Sequence, residues 1–309
     1  MAGSMIHIRS IGRILTGAFV LSLLAAAPAA AQGAAENAPR PHSATASVSV
    51  MDTAFAMPEL GRTRRVWIYL PPDYATSARR YPVLYMHDGQ NVFDAATSYA
   101  GEWGVDEALD SLHAAGDPGA IVVAVDNGQQ LRMNEYSPWA HPRHGGGEGD
   151  AYADFLANTL KPWIDRHYRT RPGPESTGIM GSSMGALISL HAAFRHPGVF
   201  GRVGVFSPSL WYSDSVFVAA RAARPGQPAP RFYFVSGGRE GPREMPGVVV
   251  ADQQRMLDTL AAAGWTLGTH MHAAAPEDGE HSEWFWRREF PAAYRWLFSD
   301  PPTAAAPRR

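Results

Sequence analysis

From residue 46 to residue 298, short apolar runs alternate with longer amphipathic segments almost without interruption. Residues 46–55, 64–70, 81–86, 120–125, 176–180, 202–206, 232–235 and 267–273 have strand character. In the second of these, Val66, Ile68 and Leu70 alternate with Trp67 and Tyr69, so both faces are apolar, and Pro71-Pro72 ends it. Several runs stop at turn-forming residues: His87-Asp88-Gly89, Asp126-Asn127-Gly128, Ser207-Pro208 and Ser236-Gly237-Gly238. Between them lie helical patterns. Residues 103–115 place Val105, Leu109 and Leu112 on one face, and residues 152–168 place Phe155, Leu156, Leu160, Trp163 and Ile164 together. Residues 186–194 are apolar on most sides, and 250–263 and 284–298 are again amphipathic. Strands alternating with helices of this length predict an α/β fold, a mostly parallel central sheet with helices on both faces.

Composition narrows the picture. The chain has 309 residues, 45% hydrophobic and 18% charged, which suits one large domain. Its formal net charge is −2 and it has no basic block, so nothing marks a nucleic-acid partner. It has no cysteine, which excludes disulfides, a thiolate nucleophile, Cys-type zinc sites and a lipoprotein anchor. Arg9 and Arg13 precede an apolar run from residue 14 to 27, and Ala29-Ala30-Ala31 supplies an A-x-A pattern. That is the layout of a secretory signal peptide, and the run is shorter than the ~20 residues of a spanning helix. The expected organisation is a signal peptide over 1–31, a disordered leader over 32–44, the α/β domain over 45–300 and a disordered tail over 301–309. The mature protein is then periplasmic or secreted, with no membrane span.

The chemistry centres on Gly181-Ser182-Ser183-Met184-Gly185. A bare G-x-S-x-G is a weak signal in a chain with 30 glycines. Here a short strand precedes it and an apolar helix follows, the setting of a nucleophile elbow that exposes the Ser Oγ above the sheet. A Cβ at Gly181 or Gly185 would crowd that turn. Ser183 is therefore the expected nucleophile. It needs a base, and on this fold the partners follow in the order Ser, acid, His. Among the later histidines, His191 and His196 come too early, and His270 and His272 fall in the last strand. His281 sits on a loop before the last helix and is the expected base. The acid belongs after an intermediate strand, and Glu240 is the choice, with Glu244 and Asp214 as alternatives. The two oxyanion-hole donors are expected from the N–H of Met184 and from the N–H of Gln90, in the loop after the third strand. His87 is read as supporting that loop.

These residues also resemble a known family. His87-Asp88-Gly89-Gln90-Asn91, Glu102-Trp103, Glu135-Tyr136-Ser137-Pro138, the Ser183 elbow and Gly279-Glu280-His281 are similar, in matching order, to the Putative esterase family. That family is related to esterase D, enterochelin esterases, and the feruloyl and acetyl-xylan esterases of carbohydrate esterase family one. The resemblance covers roughly residues 64–298 and implies an α/β-hydrolase fold and carboxylic ester hydrolysis through Ser183, Glu240 and His281. Relatives often carry Asp at the acid position, and many have Gly where this chain has Ala186. Mycolyltransferases share the fold, so acyl transfer is the alternative among enzymes. A catalytically silent carbohydrate- or siderophore-binding module is the alternative outside them.

Between residues 206 and 231 there is room for only one helix, around 213–223, so no large cap domain fits there. Residues 128–149, with Trp139, His141, His144 and three successive glycines, are read either as a lid or as a surface loop. Trp103, Trp139 and Trp211 are the candidates for an aromatic substrate pocket. No metal site is expected at His141-Pro142-Arg143-His144, which lacks a third ligand at suitable spacing. No cofactor is expected, and the expected partner is a small-molecule or sugar-linked ester.

Overall fold

The computed structural model describes residues 40–298 apart from Gln227 and Pro246. The expected signal peptide, most of the leader and the tail lie outside these residues. The described chain forms a single eight-stranded sheet. Its strands are β1 (Val48–Met57), β2 (Arg62–Tyr69), β3 (Val83–Met86), β4 (Ile121–Val125), β5 (Thr177–Ser182), β6 (Arg202–Phe206), β7 (Arg231–Val235) and β8 (Met271–Ala274). The order across the sheet is β1-β2-β4-β3-β5-β6-β7-β8. The β1–β2 and β2–β4 pairs are antiparallel, and every pair from β4 to β8 is parallel.

Six helices flank the sheet: α1 (Val105–Ala114), α2 (149–167), α3 (Met184–Arg195), α4 (Ser215–Ala222), α5 (Val248–Ala262) and α6 (Glu283–Phe298). A π-helical stretch at Phe155–Leu160 interrupts α2. Side chains alternate across each strand, so β3 sends Val83 and Tyr85 to one face and Leu84 and Met86 to the other. The first face packs against α2, α3, α4 and α5 through Phe155, Leu187, Phe217 and Leu260. The second packs against α1 and α6 through Leu109, Phe285 and Phe290. Both faces of the parallel strands are thus buried, which is why these strands read as unbroken apolar runs. The described chain is an α/β-hydrolase fold, and between β6 and β7 it holds one helical turn and α4, with no large cap among the described residues.

One boundary departs from the sequence reading. The last strand begins at Met271 and not at 267, because Gly268 takes φ +82° and its N–H closes a turn onto Met271 O at 2.7 Å. His270 therefore precedes the strand, and His272 alone lies in it, stacked on Tyr233. The strand order reverses at β3, which pairs with β4 on one side and β5 on the other. In open α/β sheets the crevice beyond the carboxyl ends at such a point is where ligands bind. Here those ends lead directly into His87-Asp88-Gly89 and Ser183.

Candidate active site

β5 ends at Ser182 and α3 starts at Met184, so Ser183 alone makes the turn, at φ 58° and ψ −122°. A non-glycine residue there is strained by about 1–3 kcal/mol, and the surroundings hold it. Its N–H donates to Phe206 O at 3.0 Å, and its carbonyl accepts from Ser209 N at 3.1 Å. Gly181 is required beneath it, since a Cβ there would lie 2.8 Å from the Gly185 carbonyl carbon and 2.9 Å from His87 Cδ2. The Ser183 hydroxyl shares a hydrogen bond with Ser209 Oγ at 3.1 Å.

The loops after β7 and β8 are bound together by their backbones. Gly238 N–H donates to Pro276 O at 2.8 Å and Arg239 N–H to Gly279 O at 2.9 Å. Gly237 makes this approach possible, for a Cβ on it would fall 2.2 Å from the Gly279 carbonyl carbon. The contact sets Glu240 beside His281, with Oε2 2.9 Å from Nδ1. Glu240 is buried, and its Oε1 accepts from Ser207 Oγ at 2.5 Å and from Gly237 N–H at 2.6 Å. Ser207 Oγ in turn accepts from Trp286 Nε1 at 2.9 Å, and Trp286 also packs perpendicular to the His281 ring at 5.2 Å. With its Nδ1–H donated to Glu240, the His281 ring keeps Nε2 as a free acceptor. The alternatives fall elsewhere: Asp214 pairs with Arg255 at 2.9 Å, and Glu244 is exposed.

Ser183 and His281 line two adjoining cavities. One, of about 860 Å³, is lined by Asp88, Gln90, Asn127, Arg132 and Glu283 together with the rings of Tyr99 and Trp286. The other, of about 480 Å³, is bounded by Trp211, Pro242, Met245, Val248 and Val249, with Ser209 and Asp252 as its further polar side chains. Gln90 and Met184 stand at the starts of a one-turn 3-10 helix and of α3, where the first N–H groups have no intrahelical acceptor. Gln90 is on the cavity wall, while the Met184 side chain is buried behind the elbow.

The Gln90 loop is fixed by Asp88 at φ 55°, whose carboxylate takes a two-point hydrogen bond from Arg132 at 2.6 and 3.0 Å and a third from Asn127 at 2.6 Å. Burial works against the Asp88 charge, but Arg132 and Asn127 outweigh it and hold the carboxyl below its usual range. His87, directly before it, is buried between Tyr152 and Ser189.

The aromatic pocket predicted from sequence needs correction. Trp103 is 3% exposed and packs in the core against Phe206 and Trp286. Trp139 packs against the core and His191. Burial of so large an apolar ring is favourable, and Phe206 and Trp286 cover Trp103, whereas Trp139 stays half-buried. Trp211 alone of the three lines a cavity, where its ring is 57% exposed. His141 and His144 pack on each other with tilted rings beside Trp211 and Tyr212, and among the described residues no group of three metal-ligating side chains converges. Sequence reasoning missed Ser207, Ser209, Arg132, Glu283 and Trp286. Only Ser207-Pro208-Ser209 carried a signal, as a break after an apolar run, and it read as an ordinary strand end.

The Putative esterase family profile matches residues 57–297, from the end of β1 to the last turn of α6. The chain is similar to the uncharacterized protein YbbA of Bacillus subtilis, 26% identical over 76% of this chain and 92% of that protein. It is 27% identical to an iron(III) enterobactin esterase of Dickeya dadantii over 80% of this chain, and 29% identical to a siderophore triacetylfusarinine C esterase of Aspergillus fumigatus over 46% of it. It spans only about half the length of these two esterases, 55% and 49%. Among solved structures, siderophore hydrolase EstA from Aspergillus nidulans superposes with a TM-score of 0.67 at 18% identity, over 84% of this chain and 97% of that one. The enterobactin esterase FES from Shigella flexneri gives 0.64 at 20%, over 84% and 60%. At these identities the likeness of structure speaks for the fold. The family match extends over most of the sequence: the chain belongs to the Putative esterase family and is a carboxylic ester hydrolase.

Proposed function

We propose that Ser183 attacks the ester carbonyl and forms an acyl-enzyme, with His281 as general base and Glu240 orienting it. The observation that carries this reading is the 2.9 Å bond from His281 Nδ1 to a buried carboxylate, on the rim of the cavities that also hold Ser183. The Ser183 Oγ turns from Ser209 toward His281 Nε2, passes its proton there and bonds to the carbonyl carbon. The oxyanion that forms is met by the Gln90 and Met184 N–H groups, and the imidazolium is stabilised by Glu240. His281 then returns the proton to the leaving alcohol. A water molecule, deprotonated by the same ring, releases the acid and regenerates Ser183. No step draws on a metal or an organic cofactor.

A fluorophosphonate probe should label wild type on Ser183 and leave Ser183→Ala unlabelled, with both folded by circular dichroism. Labelling that persists in the variant would remove Ser183 from this role. The substrates to try first are those named for the relatives, enterobactin, triacetylfusarinine C and feruloyl esters. We also propose export, from the pattern in residues 1–31. Among the described residues no helix is long and apolar enough to cross a membrane. Cell fractionation with N-terminal sequencing tests this, with cleavage after Ala31 as the expected result.

A further inference from the structure

The cleft at Ser183 has two unlike halves, a more polar cavity of about 860 Å³ and a more apolar one of about 480 Å³ in which Asp252 is the one carboxylate. Because Ser183 and His281 border both, an ester seated on Ser183 has its carbonyl carbon at the junction and one substituent in each half. The acyl group stays on Ser183 while the alcohol leaves and water takes its place. The alcohol therefore occupies the half where water can stand. The first half gathers amide, carboxylate and guanidinium groups that hold water, whereas the second sets Asp252 alone among Trp211, Pro242, Met245, Val248 and Val249. The polar cavity is the alcohol side and the apolar cavity the acyl side.

The charges on the alcohol side are unevenly spent. Asp88 and Arg132 satisfy each other through two hydrogen bonds. Glu283, the first residue of α6 and two places beyond His281, also lines this cavity, and among the described residues it has no ion-pair partner. It is faced by Asp88 from the loop after β3, by Arg132 from the segment after β4, and by His281 from its own loop. Burial first, and then the Asp88 charge, push its carboxyl above the usual range. Its own N–H, His281 and Arg132 pull the other way without cancelling this. A carboxylate with open acceptor sites attracts O–H and N–H donors and repels anions.

We infer that Glu283 makes this cleft select esters whose alcohol half is uncharged or cationic and presents a hydroxyl or ammonium group, and reject esters whose alcohol half is anionic. The inference rests on the serine-esterase reading above.

The test uses one butyryl acyl group on three alcohols, glycerol, choline and glycolate, near pH 8, well above any ordinary carboxyl range. The expected kcat/KM of wild type is at least about tenfold lower for the glycolate ester, the scale of one charge–charge contact in a partly solvated site. Glu283→Gln should close most of that gap, by raising turnover of the glycolate ester and lowering that of the other two. Added salt should narrow the gap in wild type and leave Glu283→Gln nearly unchanged. The inference is overturned by equal rates on the three esters in wild type, or by a gap that survives Glu283→Gln. Amide analogues of the same esters, bound to Ser183→Ala and measured by calorimetry, should follow the same order, so the cleft is read even without turnover. Hydrolysis that persists in Ser183→Ala would instead count against the serine mechanism and leave the discrimination at Glu283 to be judged from the other measurements.

Discussion

Ser207 donates its hydroxyl proton to Glu240 Oε1 at 2.5 Å while accepting from Trp286 Nε1 at 2.9 Å, so an indole on α6 and a carboxylate after β7 are held by one hydroxyl at the end of β6. Ser207 is buried and sits at φ 44°. Removing its hydroxyl leaves Glu240 with Gly237 N–H as its remaining anchor on Oε1. A hydrogen bond to a charged group contributes about 1.5–3 kcal/mol. Ser207→Ala should therefore lower kcat by about tenfold or more while changing KM little. Ser207→Gly, which relaxes the positive φ, should lose as much. A Gly variant with wild-type kcat would show that the Ser207 hydroxyl is not needed to hold Glu240.

The strain at Ser183 offers a second measurement. At φ 58° and ψ −122° a side chain costs stability that glycine would not. Ser183→Gly should raise the free energy of unfolding by about 1 kcal/mol in urea titration while abolishing ester hydrolysis. A loss of stability would mean that the Ser183–Ser209 hydrogen bond outweighs the backbone term.

Much of this site could be read in the sequence because its parts have strict local grammar. The Ser183 elbow needs glycine two places before and after, a strand ahead and a helix behind, and each leaves a mark in the string. His281, the base proposed here, is singled out by order and elimination, and the structure places it against Glu240. Glu240 was harder, since a carboxylate after a strand is common. Its distinction from Asp214 and Glu244 lies in the Gly237–Gly279 approach, a long-range contact with no local signature. Ser207, Trp286, Arg132 and Glu283 were hidden for the same reason: their roles come from hydrogen bonds or cavity walls shared across distant elements. Trp103 is covered by Phe206 and Trp286, and half-buried Trp139 packs against His191; these are contacts between distant elements that leave no local mark in the sequence.

Glu240→Gln tests the acid. The amide keeps an oxygen for Ser207 and Gly237 but no longer offers a charge to the imidazolium. Activity should fall by about a thousandfold or more, yet remain above that of Ser183→Ala or His281→Ala, because the oxyanion donors still work and the base is only misoriented. Wild-type kcat/KM in this variant would exclude Glu240 as the partner of His281.

His87 gives a prediction about acid stability. Ser189 Oγ donates to Gly185 O at 2.8 Å, so it accepts from His87 Nε2 at 3.0 Å, and His87 Nδ1 is left to accept from the Tyr152 hydroxyl at 3.1 Å. This is a neutral ring fully paired in the core. Burial pushes its pKa down to about 4, against the pull of Asp88 and with the help of Arg132. In the unfolded chain the same ring takes up its proton near ~6.5. Between those two values this ring binds more protons in the unfolded state than in the folded one, so its contribution to stability falls as pH drops, by about 1.4 kcal/mol per unit, and levels off below about pH 4. His191 and His272, also lowered first by burial, add to the slope in the same direction. Asp106, whose carboxyl burial pushes up to about 7, contributes the opposite slope over the same range. The His87 contribution is therefore read as the difference between wild type and His87→Gln in urea unfolding between pH 7 and pH 4, and imidazole NMR should find His87 still neutral at pH 5. A His87 ring that titrates near pH 6.5 in the folded protein would mean that it is not sealed between Tyr152 and Ser189, and that the loop carrying Gln90 opens to water.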